Sequence, residues 1–281
     1  MKIFMHSVEH LIETALSEDI GPGDITTDNL VGPDLVGEGE IVAKESFVIA
    51  GLDVAKQVFA YFDPAVRYRP FFEDGDTIET GQVLLTIGGK LRALLLGERT
   101  ALNFLQRLSG IATNVRSYMD CLGKEKVRLV DTRKTIPGWR VLEKYAVRVG
   151  GAYNHRMGLF DGVMIKDNHI AACGGIKKAI ERIKDRVSHL LKIEVEVSDL
   201  SGVKEALDAG ADVIMLDNMT IEQIQEATAL IGGKAIVEVS GGVTKKDLSR
   251  LAATGVDVIS AGALTHSARS VDMSMRIKTP G

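Results

Sequence analysis

Charged side chains are unevenly placed along this chain. Residues 131–170 hold seven Lys and Arg (Arg133, Lys134, Arg140, Lys144, Arg148, Arg156, Lys166) against four acids (Asp131, Glu143, Asp161, Asp167). That is a net +3, leaving −7 for the rest of a chain whose total is −4. His155 and His169 fall in the same window. Several of the charges sit in segments bounded by Pro and Gly: Thr132-Arg133-Lys134-Thr135-Ile136-Pro137-Gly138 and Gly150-Gly151-Ala152-Tyr153-Asn154-His155-Arg156. A loop-borne guanidinium orients a planar carboxylate bidentately, and a lysine supplies a point charge for phosphate. Arg140 and Lys144 instead fall on a helical stretch and read as a solvated face. Two glycine segments, Ser240-Gly241-Gly242 and Ala261-Gly262-Ala263, each follow an apolar run, where backbone N–H groups can close on an anion. Either alone reads as a turn; together, after the last two strands of a barrel-like series, they point to a phosphorylated ligand. Glu196 and Asp217 complete the set, as acids suited to ribose hydroxyls or to Mg²⁺ held directly or through water.

These residues need a frame, and from Val127 onward the chain supplies one. Apolar runs at 127–131, 162–166, 192–197, 213–217, 235–240 and 257–262 alternate with helical stretches at 139–149, 176–188, 200–209, 221–231 and 245–253. That alternation predicts a parallel sheet with helical crossovers, either an incomplete barrel or an open doubly wound sheet. Asp131, Lys166, Glu196, Asp217 and Ser240 close successive strands and Gly262 closes the last, at the end where such folds bind ligands. Period-two alternation puts Glu194 and Glu196 on one strand face, opposite Ile193, Val195 and Val197. Met215 with Asp217, and Glu238 with Ser240, share the same pattern. Ionisable groups on that inward face are costly unless they serve a site or pair with each other. For one carboxylate a buried ion pair is the simpler reading; polar closures on six successive strands point to a site.

The first hundred residues read differently. A helix at 7–19 ends at Ile20-Gly21-Pro22-Gly23-Asp24, short strands are expected at 40–43, 47–50 and 83–87, and a helix at 51–62. A long helix runs from about 97 to 122, with Leu102, Leu105, Leu108 and Ala112 on one stripe.

The 281 residues are 45% apolar and 26% charged, which excludes disorder and fibrous folds, and the pI of about 5.9 argues against nucleic acid or an anionic membrane as partner. Cys121 and Cys173 lack disulfide or metal-ligand spacing and read as small buried hydrophobes. No run is long enough for a membrane helix, and Met1–His6 lacks a signal-peptide core, so a cytoplasmic protein is expected.

Several segments resemble the quinolinate phosphoribosyltransferases, also called carboxylating nicotinate-nucleotide pyrophosphorylases. They are Asp131-Thr132-Arg133-Lys134-Thr135-Ile136-Pro137-Gly138-Trp139-Arg140, 142–148, Asn154-His155-Arg156-Met157-Gly158-Leu159 and Ile165-Lys166-Asp167-Asn168-His169, with 18–27, 97–105 and 262–267 outside the cationic window. Ala152 departs from a usual third glycine, and Arg269 from a commoner proline. The resemblance covers almost the whole chain. It implies an α/β fold: an N-terminal α/β sandwich (1–106) joined by the tail (265–281), and an open, about seven-stranded α/β barrel (107–264). It also implies a homodimer or higher oligomer in which Arg99 reaches the neighbouring subunit's site.

The implied reaction joins quinolinate to phosphoribosyl pyrophosphate with Mg²⁺, giving nicotinate mononucleotide, pyrophosphate and CO₂ for NAD biosynthesis. In that setting Arg99, Arg133, His155, Arg156 and Lys166 would clamp two carboxylates, beside Thr132. Lys134, Ser240–Gly242 and Ala261–Ala263 would hold phosphate groups. Glu196 and Asp217 would bind ribose hydroxyls or Mg²⁺; Lys134, Lys166, Glu196 and Asp217 are the expected catalytic set. Two rival readings stand beside it: a Schiff-base lyase using Lys166 at its strand end, and a non-synthetic anion-binding relative of the molybdenum-associated kind. The latter tends to lose the Lys-Asp-Asn-His stretch that is intact here as Lys166–His169.

Overall fold

The computed structural model describes residues 2–278, with side-chain surroundings from Ser7 onward. Met1, the side chains of residues 2–6 on which the leader expectation falls, and residues 279–281 of the expected tail lie outside the described residues. Two compact units divide the chain. One gathers the residues up to Arg116, residues 136–151 and the chain from Ala268 on; the other holds 117–135 and 152–267.

The first unit opens with helices α1 (Lys2–Ile20) and α2 (Ile25–Leu30), the second capped by Asp24, which accepts from the Thr26 and Thr27 N–H groups. Strands β1 (Val36–Ala43) and β2 (Phe47–Val48), helix α3 (Leu52–Phe62), and strands β3 (Arg67–Pro70), β4 (Thr77–Ile78) and β5 (Val83–Lys90) follow. Helix α4 (Leu91–Leu122) starts directly after β5, and its Leu102, Leu105, Leu108 and Ala112 stripe is buried. The final strand β12 (Met273–Lys278) pairs with β1 to complete an antiparallel sheet of order β12-β1-β5-β3. Gly110 of α4 permits this return of the chain, because a Cβ there would lie 2.0 Å from the Arg269 carbonyl oxygen.

Helix α5 (Arg140–Val149) belongs to this first unit, whereas the sequence reading assigned all of 107–264 to the barrel. Trp139 stacks on Phe104 at 4.7 Å, and Arg107 donates to Glu143 from Nε (3.0 Å) and Nη2 (2.6 Å). The expected solvated face is therefore corrected: Lys144 is 1% exposed and Glu143 fully buried, the latter against Arg107 of α4. Arg269, the departure from the family pattern, forks onto both carboxylate oxygens of Glu45.

The second unit is a six-stranded parallel sheet of order β6-β11-β10-β9-β8-β7. Its strands are β6 (Arg128–Val130), β7 (Val163–Ile165), β8 (Ile193–Val197), β9 (Val213–Asp217), β10 (Ile236–Ser240) and β11 (Val258–Ser260). Consecutive strands are neighbours except the first two, and the first pairs with the last, so the sheet closes on itself everywhere but between β6 and β7. This is an open barrel. At the opening a lone parallel bridge joins Tyr153 to Val130, so the seventh strand that the resemblance implies is reduced to one residue. Asp131, fully buried, explains the shortness: it takes up the Asn154 side chain and the His155 N–H, ending the pairing there.

Helices α6 (Asp167–Cys173), α7 (Ile176–Lys184), α8 (Leu200–Asp208), α9 (Ile221–Ile231), α10 (Leu248–Ala252) and α11 (Ala263–His266) connect the strands. Val195, Ile214 and Val237 are buried on the sheet side that alternates with the acids, alongside Val203 of α8 and Ile224 of α9. Neither cysteine is a buried hydrophobe as expected: Cys121 ends α4 exposed, and Cys173 ends α6 half-exposed, because both lie at helix ends rather than on a core stripe. No described helix is long and apolar enough to cross a membrane.

Candidate active site

A cavity of about 830 Å³ opens at the carboxyl ends of the barrel strands, lined entirely by residues of the second unit. It brings together Thr132, Arg133, Lys134, His155, Arg156, Lys166, Glu196, Asp217, Ser240, Gly241, Gly242, Gly262 and Ala263. These come from the ends of all six strands and, for His155 and Arg156, from the loop after the Tyr153 bridge, and were all expected from the sequence.

Each cation is held by its local backbone. Lys134 follows β6 in a turn where its N–H bonds Thr132 Oγ1 (3.0 Å) and its carbonyl accepts from Thr265 Oγ1 (2.8 Å). Gly262 makes room for it, since a Cβ there would meet the Lys134 Cδ at 2.8 Å. Arg156 is half-buried and donates from Nη1 to the Gly162 carbonyl. Burial, then the positive charge of Arg133, holds its guanidinium below the usual arginine range, with Glu194 and Asp161 pulling the other way. Two guanidiniums facing one space repel each other, and a dianion between them relieves that repulsion. Lys166 follows β7 and donates from Nζ to Glu196 Oε2.

The acids sit opposite. Glu196 is the penultimate residue of β8 and Asp217 the last of its neighbour β9, and Asn218 Nδ2 donates to Asp217 Oδ2 at 2.8 Å. Asn218 is the described non-glycine residue with positive φ, at 54°. Its side chain fills the space beside Gly241, whose own φ is 98°. Substituting alanine at Gly241 would put Cβ 2.3 Å from the Asn218 Oδ1 and 2.8 Å from its backbone nitrogen. We expect Gly241→Ala to lower the thermal unfolding midpoint by several degrees, from strain of about 2 kcal/mol. An unchanged midpoint would show that the two loops are free to move apart.

Two expected site residues lie elsewhere. Ala261 is 2% exposed and its N–H bonds the Val130 carbonyl, so it belongs to the sheet and leaves Gly262 and Ala263 to face the cavity. Arg99 is exposed on α4 in the first unit. The helix after the Ser240–Gly242 loop also starts later than expected, at Leu248, because Asp247 first closes a turn onto the Thr244 N–H and Oγ1. What that loop offers to the cavity is therefore its glycine backbone rather than a helix end.

The family and the relatives of the chain are known by sequence and by fold. The family described as "Quinolinate phosphoribosyl transferase, C-terminal domain" matches residues 111–276, and its N-terminal domain matches 24–109. A protein of Bacillus subtilis (strain 168) named as a probable carboxylating nicotinate-nucleotide pyrophosphorylase is 45% identical over 96% of this chain and 93% of its own. The chain belongs to the quinolinate phosphoribosyltransferase family. A Nicotiana tabacum protein named decarboxylating quinolinate phosphoribosyltransferase 1b is 38% identical over 98% of this chain and 83% of its own. The crystal structure of NadC from Streptococcus pyogenes superposes with a TM-score of 0.93 at 44% identity, covering 96% of each chain.

In this family member the cavity also holds residues that the sequence did not single out for the site: Met164, Met215, Asn218, Val243, Thr244, Ser260 and His266. Period-two alternation pointed Met164 and Met215 the same way as Lys166 and Asp217, and that signal could have found them. Asn218 had none and His266 only its place in the 262–267 resemblance, since a left-handed asparagine and a four-residue helix leave no periodic trace.

Proposed function

We propose that this protein transfers the phosphoribosyl group of phosphoribosyl pyrophosphate to quinolinate, releasing pyrophosphate and CO₂ to leave nicotinate mononucleotide. The observation that carries the reading is the single cavity in which Arg133, Lys134, Arg156 and Lys166 face Glu196 and Asp217. Such a cavity suits two adjacent carboxylates, a phosphate, a pyrophosphate and one ribose.

Arg133 and Arg156 clamp the carboxylates, with Lys166 alongside. Lys134 and the Gly241–Gly242 and Gly262–Ala263 loops take the phosphate and pyrophosphate oxygens. The pyridine nitrogen attacks the anomeric carbon as the bond to pyrophosphate breaks; Glu196 and Asp217 stabilise the positive ribosyl centre, and Lys134 the departing charge. The C2 carboxylate then leaves as CO₂, its electron pair held beside the cationic ring nitrogen until C2 takes up a proton. The all-oxygen donors of Glu196 and Asp217 suit a hard divalent cation, and Mg²⁺ there would neutralise pyrophosphate charge. Lys166 donates to Glu196 and its side chain is 38% exposed, which is not the desolvated setting of a Schiff-base lysine. The acidic, cysteine-poor chain fits a cytoplasmic enzyme.

Incubation with quinolinate, phosphoribosyl pyrophosphate and Mg²⁺ tests the reading. Release of CO₂ and nicotinate mononucleotide is expected, and neither product appearing from folded protein would overturn it. The exposed Arg99 further suits a homodimer in which it completes the partner's site. Arg99→Ala and Lys134→Ala, each inactive alone, are then expected to recover up to about a quarter of wild-type activity as mixed dimers, since random exchange leaves one intact site in half of them. No recovery despite verified subunit exchange would remove the sharing.

A further inference from the structure

Two buried carboxylates beneath the cavity have no part in the chemistry above. Glu194 on β8 and Glu238 on β10 are 7% and 3% exposed, and both approach the His155 ring. His155 Nε2 lies 3.2 Å from Glu194 Oε2 and 3.6 Å from Glu238 Oε1. The Oε1 atoms of both glutamates are buried without a hydrogen-bond partner.

The other ring nitrogen decides what this cluster is. His155 Nδ1 accepts the backbone N–H of Arg156 at 2.8 Å. A neutral imidazole carries one N–H and one lone pair, so a lone pair spent on Nδ1 puts the proton on Nε2, aimed at the glutamates. Three potential metal-ligand atoms do lie within 4.8 Å of one another here. A metal on Nε2 would nevertheless have to displace that proton while Nδ1 still accepts one, which demands an imidazolate. The protonated Nε2 also leaves His155 no free nitrogen for a substrate carboxylate, so its expected place in the clamp is indirect.

We propose that Glu194 and Glu238 are positioning residues: they hold His155 in its Nε2–H tautomer, and through Nδ1 that ring fixes the backbone of Arg156, aiming its guanidinium into the cavity. Glu194 is the direct acceptor. Glu238 packs against it, its carboxyl pushed up to about 7 by burial and then by the Glu194 charge, with His155 and Ser260 pulling it down. Arg156 thus has two anchors, the His155 ring on its N–H and the Gly162 carbonyl on its Nη1.

This assignment rests on the quinolinate reading of the cavity for its kinetic consequence, but its structural part can be measured without substrate. In ¹⁵N-histidine-labelled full-length protein, with the His155 signals assigned by His155→Gln, the wild type is expected to show a protonated Nε2 and a lone-pair Nδ1. A protonated Nδ1 would overturn the proposal, whatever the substrate and whether or not any variant folds. Glu194→Leu is expected to mix the tautomers and raise the KM for quinolinate roughly tenfold, with kcat and the KM for phosphoribosyl pyrophosphate within about threefold of wild type. Glu194→Gln keeps an acceptor oxygen and should restore both the tautomer and most of the affinity. An unchanged quinolinate KM in a folded Glu194→Leu protein would also overturn the proposal. So would tight binding of Zn²⁺ or Mn²⁺ alone, by calorimetry, that is lost in Glu238→Gln. Absence of any turnover by the wild type sinks the substrate reading and leaves the tautomer result standing.

Discussion

Asp217→Asn is expected to lower kcat by about a thousandfold while the KM for quinolinate stays within about threefold of wild type. Asp217 is the last residue of β9, and its carboxylate is oriented by Asn218 from a left-handed backbone. The asparagine replacement keeps the shape and still offers an oxygen to the Asn218 amide, so only the charge is removed. That charge matters most when the anomeric carbon turns positive, which is a property of the transition state and not of bound quinolinate. Glu196 cannot take over, because Lys166 already shares its carboxylate. Initial rates with each substrate varied in turn check this, and a kcat within tenfold of wild type would remove Asp217 from the role.

Arg133→Ala should act in the opposite column of the same table of constants. The KM for quinolinate is expected to rise about a hundredfold, equivalent to nearly 3 kcal/mol, with the KM for phosphoribosyl pyrophosphate little changed. Arg133 is exposed on the loop after β6, so its removal leaves the core intact and the unfolding midpoint should hold. Arg133→Lys should rescue poorly, since an ammonium cannot reproduce the two-pronged grip on a planar carboxylate. Unchanged KM and kcat in Arg133→Ala would place this arginine outside the site.

The two arginines also show how the site is charged before substrate arrives. Arg156 is held below the usual arginine range partly by Arg133. If both arginines hold the two carboxylates as proposed, binding would include relief of a repulsion already built into the free protein, and a dianion would be preferred over a monoanion.

Much of the second unit could be read from the chain alone. The parallel strands are apolar runs flanked by polar closures, and every one of the six lies within two residues of its expected ends. The cationic loops were readable because residues that follow a strand in such a fold face one mouth. Short elements escaped: α2, α6, α11, β3 and β4 have two to seven residues each, too few for a period to register. Strand β12 did carry a signal, Met273, Met275 and Ile277 alternating with Ser274, Arg276 and Lys278, but its partner β1 lies more than 200 residues away. Lys144 was misread because a lysine on a helix is ordinarily solvated, and nothing local shows that tertiary packing buries it.

By itself, then, the sequence determined the kind of ligand. Cations and glycines placed after apolar runs specify a cavity for small, densely charged anions, since side-chain charge and backbone freedom are local properties. Only the tertiary structure decided how those groups are held. It reduced the seventh strand to Tyr153 and withdrew Ala261 into the sheet. It also brought Glu194, Glu238 and His155 together from β8, β10 and the loop after Tyr153. Contacts of that kind depend on which strands become neighbours and in what register, a choice made by packing over the whole barrel and written in no single stretch of residues.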